Sequence, residues 1–261
     1  MPPQLGQHFL KDKKILARIA ASLEMESGDI VFEVGPGHGE LTRELLAKAS
    51  GAKIVAVERD LGLATTLKKE LAGAKNLEII TGDALALLPK LIKSSASTAK
   101  NFKVAGNIPY YITGRLMRVL GENRKKPARC AITLQREVGE RITAKNGKMS
   151  LLSASVRAWA EPKILFCIGK EAFSPPPKVN SAVILLKKKP KDLTSPAYFA
   201  LIRALFKQPR KTILNNFRSG FNLDREVAET LLVKAGIAPE QRPQDLGLMA
   251  IEALGRALLK K

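Results

Sequence analysis

The sequence predicts an α/β fold built on a parallel sheet. Two observations carry this. Short apolar runs, such as Asp29-Ile30-Val31-Phe32-Glu33-Val34 and Lys53-Ile54-Val55-Ala56-Val57-Glu58, alternate with amphipathic helical stretches. The first run also passes through Gly35-Pro36-Gly37-His38-Gly39 directly into a helical pattern. Strand, glycine turn, helix is the context in which a Gly-rich loop holds a ligand.

Taken in order, Gly6-Gln7-His8-Phe9-Leu10 precedes a helix capped by Asp12, with Ile15, Leu16, Ile19 and Leu23 on one stripe. After the first strand and its loop, Leu41, Leu45 and Leu46 mark the inner side of the next helix. Without side chains, Gly35 and Gly37 let a ligand approach the backbone closely. The second strand ends at Glu58, 23 positions after Gly35, where an acid serves ribose hydroxyls. A third, Leu77-Glu78-Ile79-Ile80, runs into Thr81-Gly82-Asp83-Ala84. The fourth, Phe102-Lys103-Val104-Ala105-Gly106, runs into Asn107-Ile108-Pro109-Tyr110. Polar groups at four successive strand ends point to one binding edge. A helix from Gly114 and a strand over Arg129–Leu134 follow, then helices opening at Gln135 and at Met149. Lys163–Ile168 and Ser181–Leu186 read as closing strands, with Phe173-Ser174-Pro175-Pro176-Pro177-Lys178 between them.

The run Lys187-Lys188-Lys189-Pro190 breaks the pattern, so the expected domains are 1–186 and 187–261. Beyond it only helices are signalled. One is expected to start at Pro209, with Ile213, Leu214 and Phe217 inward and Lys211, Asn215 and Arg218 outward. This tail carries fifteen Lys and Arg against seven Asp and Glu. Lys207, Arg210, Lys211 and Arg218 cluster in it as candidate phosphate contacts.

The chain of 261 residues has a net charge of +20 and 5% aromatics, which favours a polyanion partner over a membrane surface. Cys130 and Cys167 lie in apolar runs and read as buried thiols of a reducing cytosol. With only His8 and His38 beside them, no metal site is expected. The absence of a signal peptide or long apolar span predicts a soluble, cytoplasmic protein.

The chemistry is read from the edge. Pro109 fixes its own φ and pushes Ile108 toward an extended conformation. The Asn107 side-chain oxygen and the Ile108 carbonyl then form a clamp for both protons of an exocyclic amine. Tyr110 stacks on the ring that bears it. Phe173 is a candidate second stacking wall opposite Tyr110, and a core phenylalanine is an equal alternative. The glycine loop lacks GxGxxG spacing and has Glu33 just before its first glycine. That acid repels a pyrophosphate but not a cation, which favours S-adenosylmethionine over a nicotinamide cofactor.

Five stretches, in order, resemble signatures of the ribosomal RNA adenine dimethyltransferases of the KsgA type. They are Gly6-Gln7-His8-Phe9-Leu10, Glu33-Val34-Gly35-Pro36-Gly37, Asn107-Ile108-Pro109-Tyr110, Phe173-Ser174-Pro175-Pro176-Pro177-Lys178-Val179-Asn180-Ser181 and Arg210-Lys211-Thr212. The resemblance implies a Rossmann-like class I methyltransferase with a mostly parallel seven-stranded sheet and a small all-helical C-terminal domain. It implies S-adenosylmethionine contacts from His8, Leu10, Gly35, Gly37, Glu58, Asp83, Ala84 and Asn107. Catalytic positions implied are Asn107, Ile108, Pro109, Tyr110 and Phe173. The implied activity is N6,N6-dimethylation of adenosines near the 3′ end of small-subunit rRNA. The implied partner is a precursor of the small ribosomal subunit, and the enzyme is expected to act as a monomer. Two alternatives remain at this point: a large-subunit rRNA adenine methyltransferase of the antibiotic-resistance type, and a non-catalytic assembly factor.

Overall fold

In the computed structural model, residues 8–95, 99–145 and 147–259 are described. Gly6 and Gln7 of the first motif lie outside them. The apolar runs become strands β2 (Ile30–Val34), β3 (Lys53–Glu58), β4 (Leu77–Thr81), β5 (Phe102–Asn107) and β6 (Arg129–Gln135). With β7 (Ala160–Ile168) and β9 (Ser181–Lys188) they make a seven-stranded sheet, in the order β4-β3-β2-β5-β6-β9-β7. The β2–β3, β2–β5, β3–β4 and β5–β6 pairs are parallel, whereas β9 runs antiparallel to β6. The fold class is thus the one the sequence predicted. Parallel strands buried on both faces need near-continuous apolar sequence, and Val31, Phe32, Ile54 and Val104 all lie in the core.

Helix α1 (Lys13–Ser22) precedes β2, and the crossovers between sheet strands are α2 (Glu40–Ala47), α3 (Leu61–Glu70), α4 (Ala84–Ser94) and α5 (Thr113–Glu122). Asp12 caps α1, accepting from the Lys14 and Ile15 amides at 2.8 and 3.1 Å. A separate two-stranded ribbon pairs β1 (Phe9–Leu10) with β8 (Phe173–Ser174), placing Leu10 opposite Phe173. Cys130 is buried on β6, but Cys167 is exposed, because β7 is the edge strand and alternate residues face outward.

The chain forms two compact units. The first runs to Gly139 and also takes in Pro162–Lys188; the second comprises Glu140–Glu161 and the chain from Lys189 onward. The longer stretch of the second unit starts at Lys189, and the unit also holds a segment from within the expected first domain. That segment contains α7 (Leu151–Arg157), whose neighbourhood supplies Met149, Ala154 and Ala158 to the second unit's core. The Tyr198 hydroxyl donates to the Ala154 carbonyl at 3.0 Å. The remaining helices of that unit are α8 (Pro196–Leu205), α9 (Ile213–Phe221), α10 (Arg225–Lys234) and α11 (Leu248–Leu259), numbered after α6 (Arg136–Thr143).

Helix α9 starts at Ile213, not at Pro209. Thr212 is its cap, accepting from the Asn215 amide at 3.3 Å. Residues 207–211 form a turn, held by the buried side chain of Asn216. Its oxygen accepts from the Gln208 amide at 3.0 Å, and its nitrogen donates to the carbonyls of Gln208, Lys211 and Thr212. Among the described residues, no helix is long and apolar enough to cross a membrane, and no cluster of metal-ligating side chains gathers.

Candidate active site

The carboxyl ends of β2, β3 and β5 open onto a cleft of ≈ 690 Å³, part of it open solvent. At its back, Gly35 and Gly37 have φ of +68° and +60°, a region that disfavours side chains. A Cβ on Gly37 would lie 2.8 Å from the Phe9 ring, whereas one on Gly35 would meet nothing within 4 Å. Gly35 thus leaves bare backbone facing space that a ligand can fill.

Glu58 is buried at the end of β3. Its two oxygens accept from the Gly37 amide at 3.0 Å and the Asp60 amide at 2.9 Å. The carboxylate therefore fixes the glycine loop and keeps a further lone pair on each oxygen. The Gly82 amide donates to the Glu58 carbonyl at 2.7 Å, which ties the neighbouring strand end to it. Asp83 there is exposed and caps α4 through the Leu85 amide at 2.8 Å. Asp83 and Ala84 stand beside Glu58 at the sheet edge, outside the wall of the cleft.

Glu33 is 1% exposed, lines the cleft, and leaves one carboxylate oxygen without a partner. Burial pushes its pKa up to about 8; the charges of Glu58 and Glu40 add to this, and the Thr42 hydroxyl opposes it. The sequence marks Glu33 only as an acid beside the loop, and its burial is what makes it part of the site.

The other wall is the Asn107–Tyr110 motif. The Asn107 amide nitrogen donates to the His8 carbonyl at 2.8 Å. The His8 ring in turn meets the Pro175 carbonyl at 2.8 Å through Nδ1. Tyr110 lies in a 3₁₀ turn over Tyr110–Ile112, its ring stacked 6.0 Å from that of His8. Its hydroxyl bonds the buried Ser181 Oγ at 2.7 Å, and burial raises its pKa. Ile108 and Pro109 line the same cleft, and Leu10 closes it from the ribbon. Pro175 and Ser181 sit in the recognised motif, but only the fold reveals them as supports of His8 and Tyr110.

Phe173 does not form a wall opposite Tyr110. It is 4% exposed, packed with Leu10, Leu16 and Ile168, because the β1–β8 pairing turns its ring into the core. In the second unit, Lys207, Arg210 and Lys211 are exposed on the turn held by Asn216. Arg218 is half-buried instead of facing outward; its Nε donates to the Leu223 carbonyl at 3.4 Å beyond the end of α9.

The donor set suits a cationic nucleoside. Two buried carboxylates, one with an oxygen lacking a partner, face a glycine loop with room for a ligand. S-adenosylmethionine, with its sulfonium, amine and ribose hydroxyls, matches that set.

The profile of a family described as ribosomal RNA adenine dimethylase matches residues 2–246. The chain is 37% identical over 268 residues to a ribosomal RNA small subunit methyltransferase A of Pelotomaculum thermopropionicum, covering 98% of this chain and 90% of that one. The protein of the same name from Dehalococcoides mccartyi is 36% identical over 248 residues, covering 94% and 84%. Among solved structures, a dimethyladenosine transferase from Plasmodium falciparum superposes with a TM-score of 0.78 at 26% identity, covering 95% and 96%. The 23S rRNA methyltransferase ErmE superposes with a TM-score of 0.71 at 26% identity, covering 96% and 99%. Agreement along nearly the whole length, with the His8–Leu10, Glu33–Gly37 and Asn107–Tyr110 stretches gathered at one cleft, leads to one assignment: the chain belongs to the ribosomal RNA adenine dimethylase family.

Proposed function

We propose that this protein transfers methyl groups from S-adenosylmethionine to the N6 amine of adenosines in small-subunit rRNA, adding two per base. The observation that carries the reading is the anchored Asn107. With its nitrogen engaged by the His8 carbonyl, its oxygen is left for a donor in a cleft that also has an acid-lined cofactor side.

Bound S-adenosylmethionine supplies an electrophilic methyl group. In this reading Glu58 holds the ribose, Asp83 and Ala84 flank the adenine of the cofactor, and Glu33 faces its cationic end. His8, Leu10, Gly35 and Gly37 shape the surrounding wall. The target adenine leaves its stack to enter. Asn107 Oδ1 and the Ile108 carbonyl accept its two N6 protons, which draws the nitrogen lone pair out of the ring. Pro109 keeps that carbonyl aimed, and Tyr110 stacks on the base. No strong general base is required, since the proton can leave after transfer. Positioning of this kind is worth up to ~7–11 kcal/mol.

The helical unit binds the rRNA through the basic turn of Lys207, Arg210 and Lys211, with Arg218 shaping the end of α9. The protein acts in the cytoplasm, as a monomer, on a precursor of the small subunit. The test is to incubate it with labelled S-adenosylmethionine and small subunits lacking the modification, then map the methylated bases. Label on two-fold methylated adenosines near the 3′ end of the small-subunit rRNA is expected. In a parallel incubation with unmodified large-subunit rRNA, label there alone would favour the antibiotic-resistance reading, and no label on either rRNA would favour an assembly factor.

A further inference from the structure

Tyr111 is the one phenylalanine, tyrosine or tryptophan among the described residues that is exposed, at 59%. A single exposed apolar side chain is ordinary on a protein surface. The surroundings of this one are not. It directly follows Tyr110, and consecutive side chains of a 3₁₀ turn project a third of a turn apart. Tyr110 is tied to Ser181 and lines the cleft, so Tyr111 stands at the rim, turned outward.

The turn runs on into α5 without a break, since Ile112 and Thr113 both have right-handed helical backbone. Residues at i+3, i+4 and i+7 from Tyr111 therefore share its side. They are Gly114, Arg115 and Arg118. Gly114 is exposed, and a Cβ placed on it would meet nothing within 4 Å, so the surface beside the ring is flat and open. Arg115 is exposed, and Arg118 is held upright by Glu122 at 3.0 Å. A flat π surface with a guanidinium beside it and open space at the glycine between them is the combination that binds single-stranded nucleic acid: a base stacks, and its phosphate meets the cation.

We propose that Tyr111 and Arg115 form the platform for the nucleotide next to the target adenine, the ring stacking its base and the guanidinium meeting its phosphate. This rests on the cleft being the site of the target adenine. When that base swings out, its neighbour loses a stacking partner. Tyr111 supplies a replacement at the mouth of the cleft and so holds the strand in the flipped state. Because a ring stacks on any base, the platform positions the strand without selecting sequence. Tyr111 is thus a positioning residue.

The test is steady-state methyl transfer to small subunits lacking the modification, with cofactor affinity followed by calorimetry. For Tyr111→Ala, the KM for subunits is expected to rise roughly 5- to 150-fold, the span of one base–aromatic stack. Cofactor affinity and kcat should stay at the level of the unsubstituted protein. Tyr111→Trp should restore KM, and Tyr111→Leu should not. Arg115→Ala should make log KM less steep in log salt by about 0.7–0.9, the effect of one phosphate. An unchanged KM for Tyr111→Ala, equal rescue by Leu and Trp, or a fall in cofactor affinity would each overturn the platform. If the unsubstituted protein modifies no subunits, the adenine reading falls and the platform with it; an active protein indifferent to Tyr111→Ala overturns the platform alone.

Discussion

The side-chain amide of Asn107 donates to the main-chain carbonyl of His8 at 2.8 Å. This bond sets which end of the amide faces the cleft, because a nitrogen committed to His8 leaves the oxygen for the substrate. It also makes the segment before α1 part of the clamp. Asn107→Ala should abolish methyl transfer and weaken cofactor binding, and lose about 0.5–1.5 kcal/mol of stability. Asn107→Asp should be as inactive, because a carboxylate would face the His8 carbonyl. Activity close to that of the unsubstituted protein in either variant would remove Asn107 from the clamp.

Glu58 holds the loop and, in the proposed function, the ribose. Glu58→Gln places an NH₂ against the amide of Gly37 or Asp60, both of which are donors. Calorimetry should show cofactor binding weaker by about 1.5–3 kcal/mol, the scale of a charge-assisted hydrogen bond. Binding to small subunits should be nearly unchanged. Full cofactor affinity in this variant would contradict the ribose assignment.

In the proposed function the Tyr110 hydroxyl supports the ring through Ser181 and takes no part in the transfer. Tyr110→Phe keeps the stacking face but leaves the buried Ser181 Oγ without its partner, at a cost of about 1–3 kcal/mol in stability. Methyl transfer should fall modestly, whereas Tyr110→Ala should lose most of it. Adding Ser181→Ala to Tyr110→Phe should recover stability in denaturant titrations. A double variant no more stable than Tyr110→Phe would show that this hydrogen bond does not matter.

Glu33 has a folded-state pKa near 8 against an ordinary 4.5. Below pH 4.5 folded and unfolded chains both hold the proton, so burial costs least there. As pH rises from 4.5 to 8 the unfolded chain gives up its proton first, and stability declines by up to roughly 1.4 kcal/mol per pH unit from this residue. Glu33→Gln should flatten that part of the stability profile. In the unsubstituted protein, cofactor binding near pH 7 should release a proton, seen as a dependence of the binding heat on the buffer's ionisation heat. A profile equally steep in Glu33→Gln would mean that other groups are responsible.

In the helical unit, Arg210→Ala with Lys211→Ala should weaken small-subunit binding and flatten its salt dependence, by about 0.7–0.9 in slope for each phosphate the variant no longer neutralises. Catalysis at saturating substrate should change little. Asn216→Ala should weaken binding too, without removing any charge, because the turn that presents both residues loses its holder. An unchanged salt slope in the double variant would return these side chains to ordinary solvation.

What the sequence made legible is what depends on local order. The strand periods, the Asp12 cap, the glycine loop and the polar strand ends are each written within a few residues. The start of α9 was legible as well, since Thr212 stands three residues before Asn215 in capping position, but Pro209 offered a competing signal. Phe173 could not be placed from the sequence. Its burial follows from pairing with Leu10, and nothing near Phe173 announces a partner so far away in the chain. The membership of residues 140–161 in the helical unit is hidden for the same reason, as is the orphaned oxygen of Glu33.

The clamp is fastened by bonds that join His8 to Pro175, Asn107 to His8 and Tyr110 to Ser181, spanning 167, 99 and 71 residues of chain. Closing such loops costs entropy that only a finished sheet repays. A nascent chain that has not yet released Ser181 from the translating ribosome can have its glycine loop and its Asn107 in place and still lack a working clamp. In the proposed function the chain therefore gains activity only after Ser181 has emerged and β9 has joined the sheet. Conversely, peeling away the few residues around His8 would unlatch Asn107 and Pro175 together while the sheet stayed intact, so activity should be lost to heat or protease before the fold is.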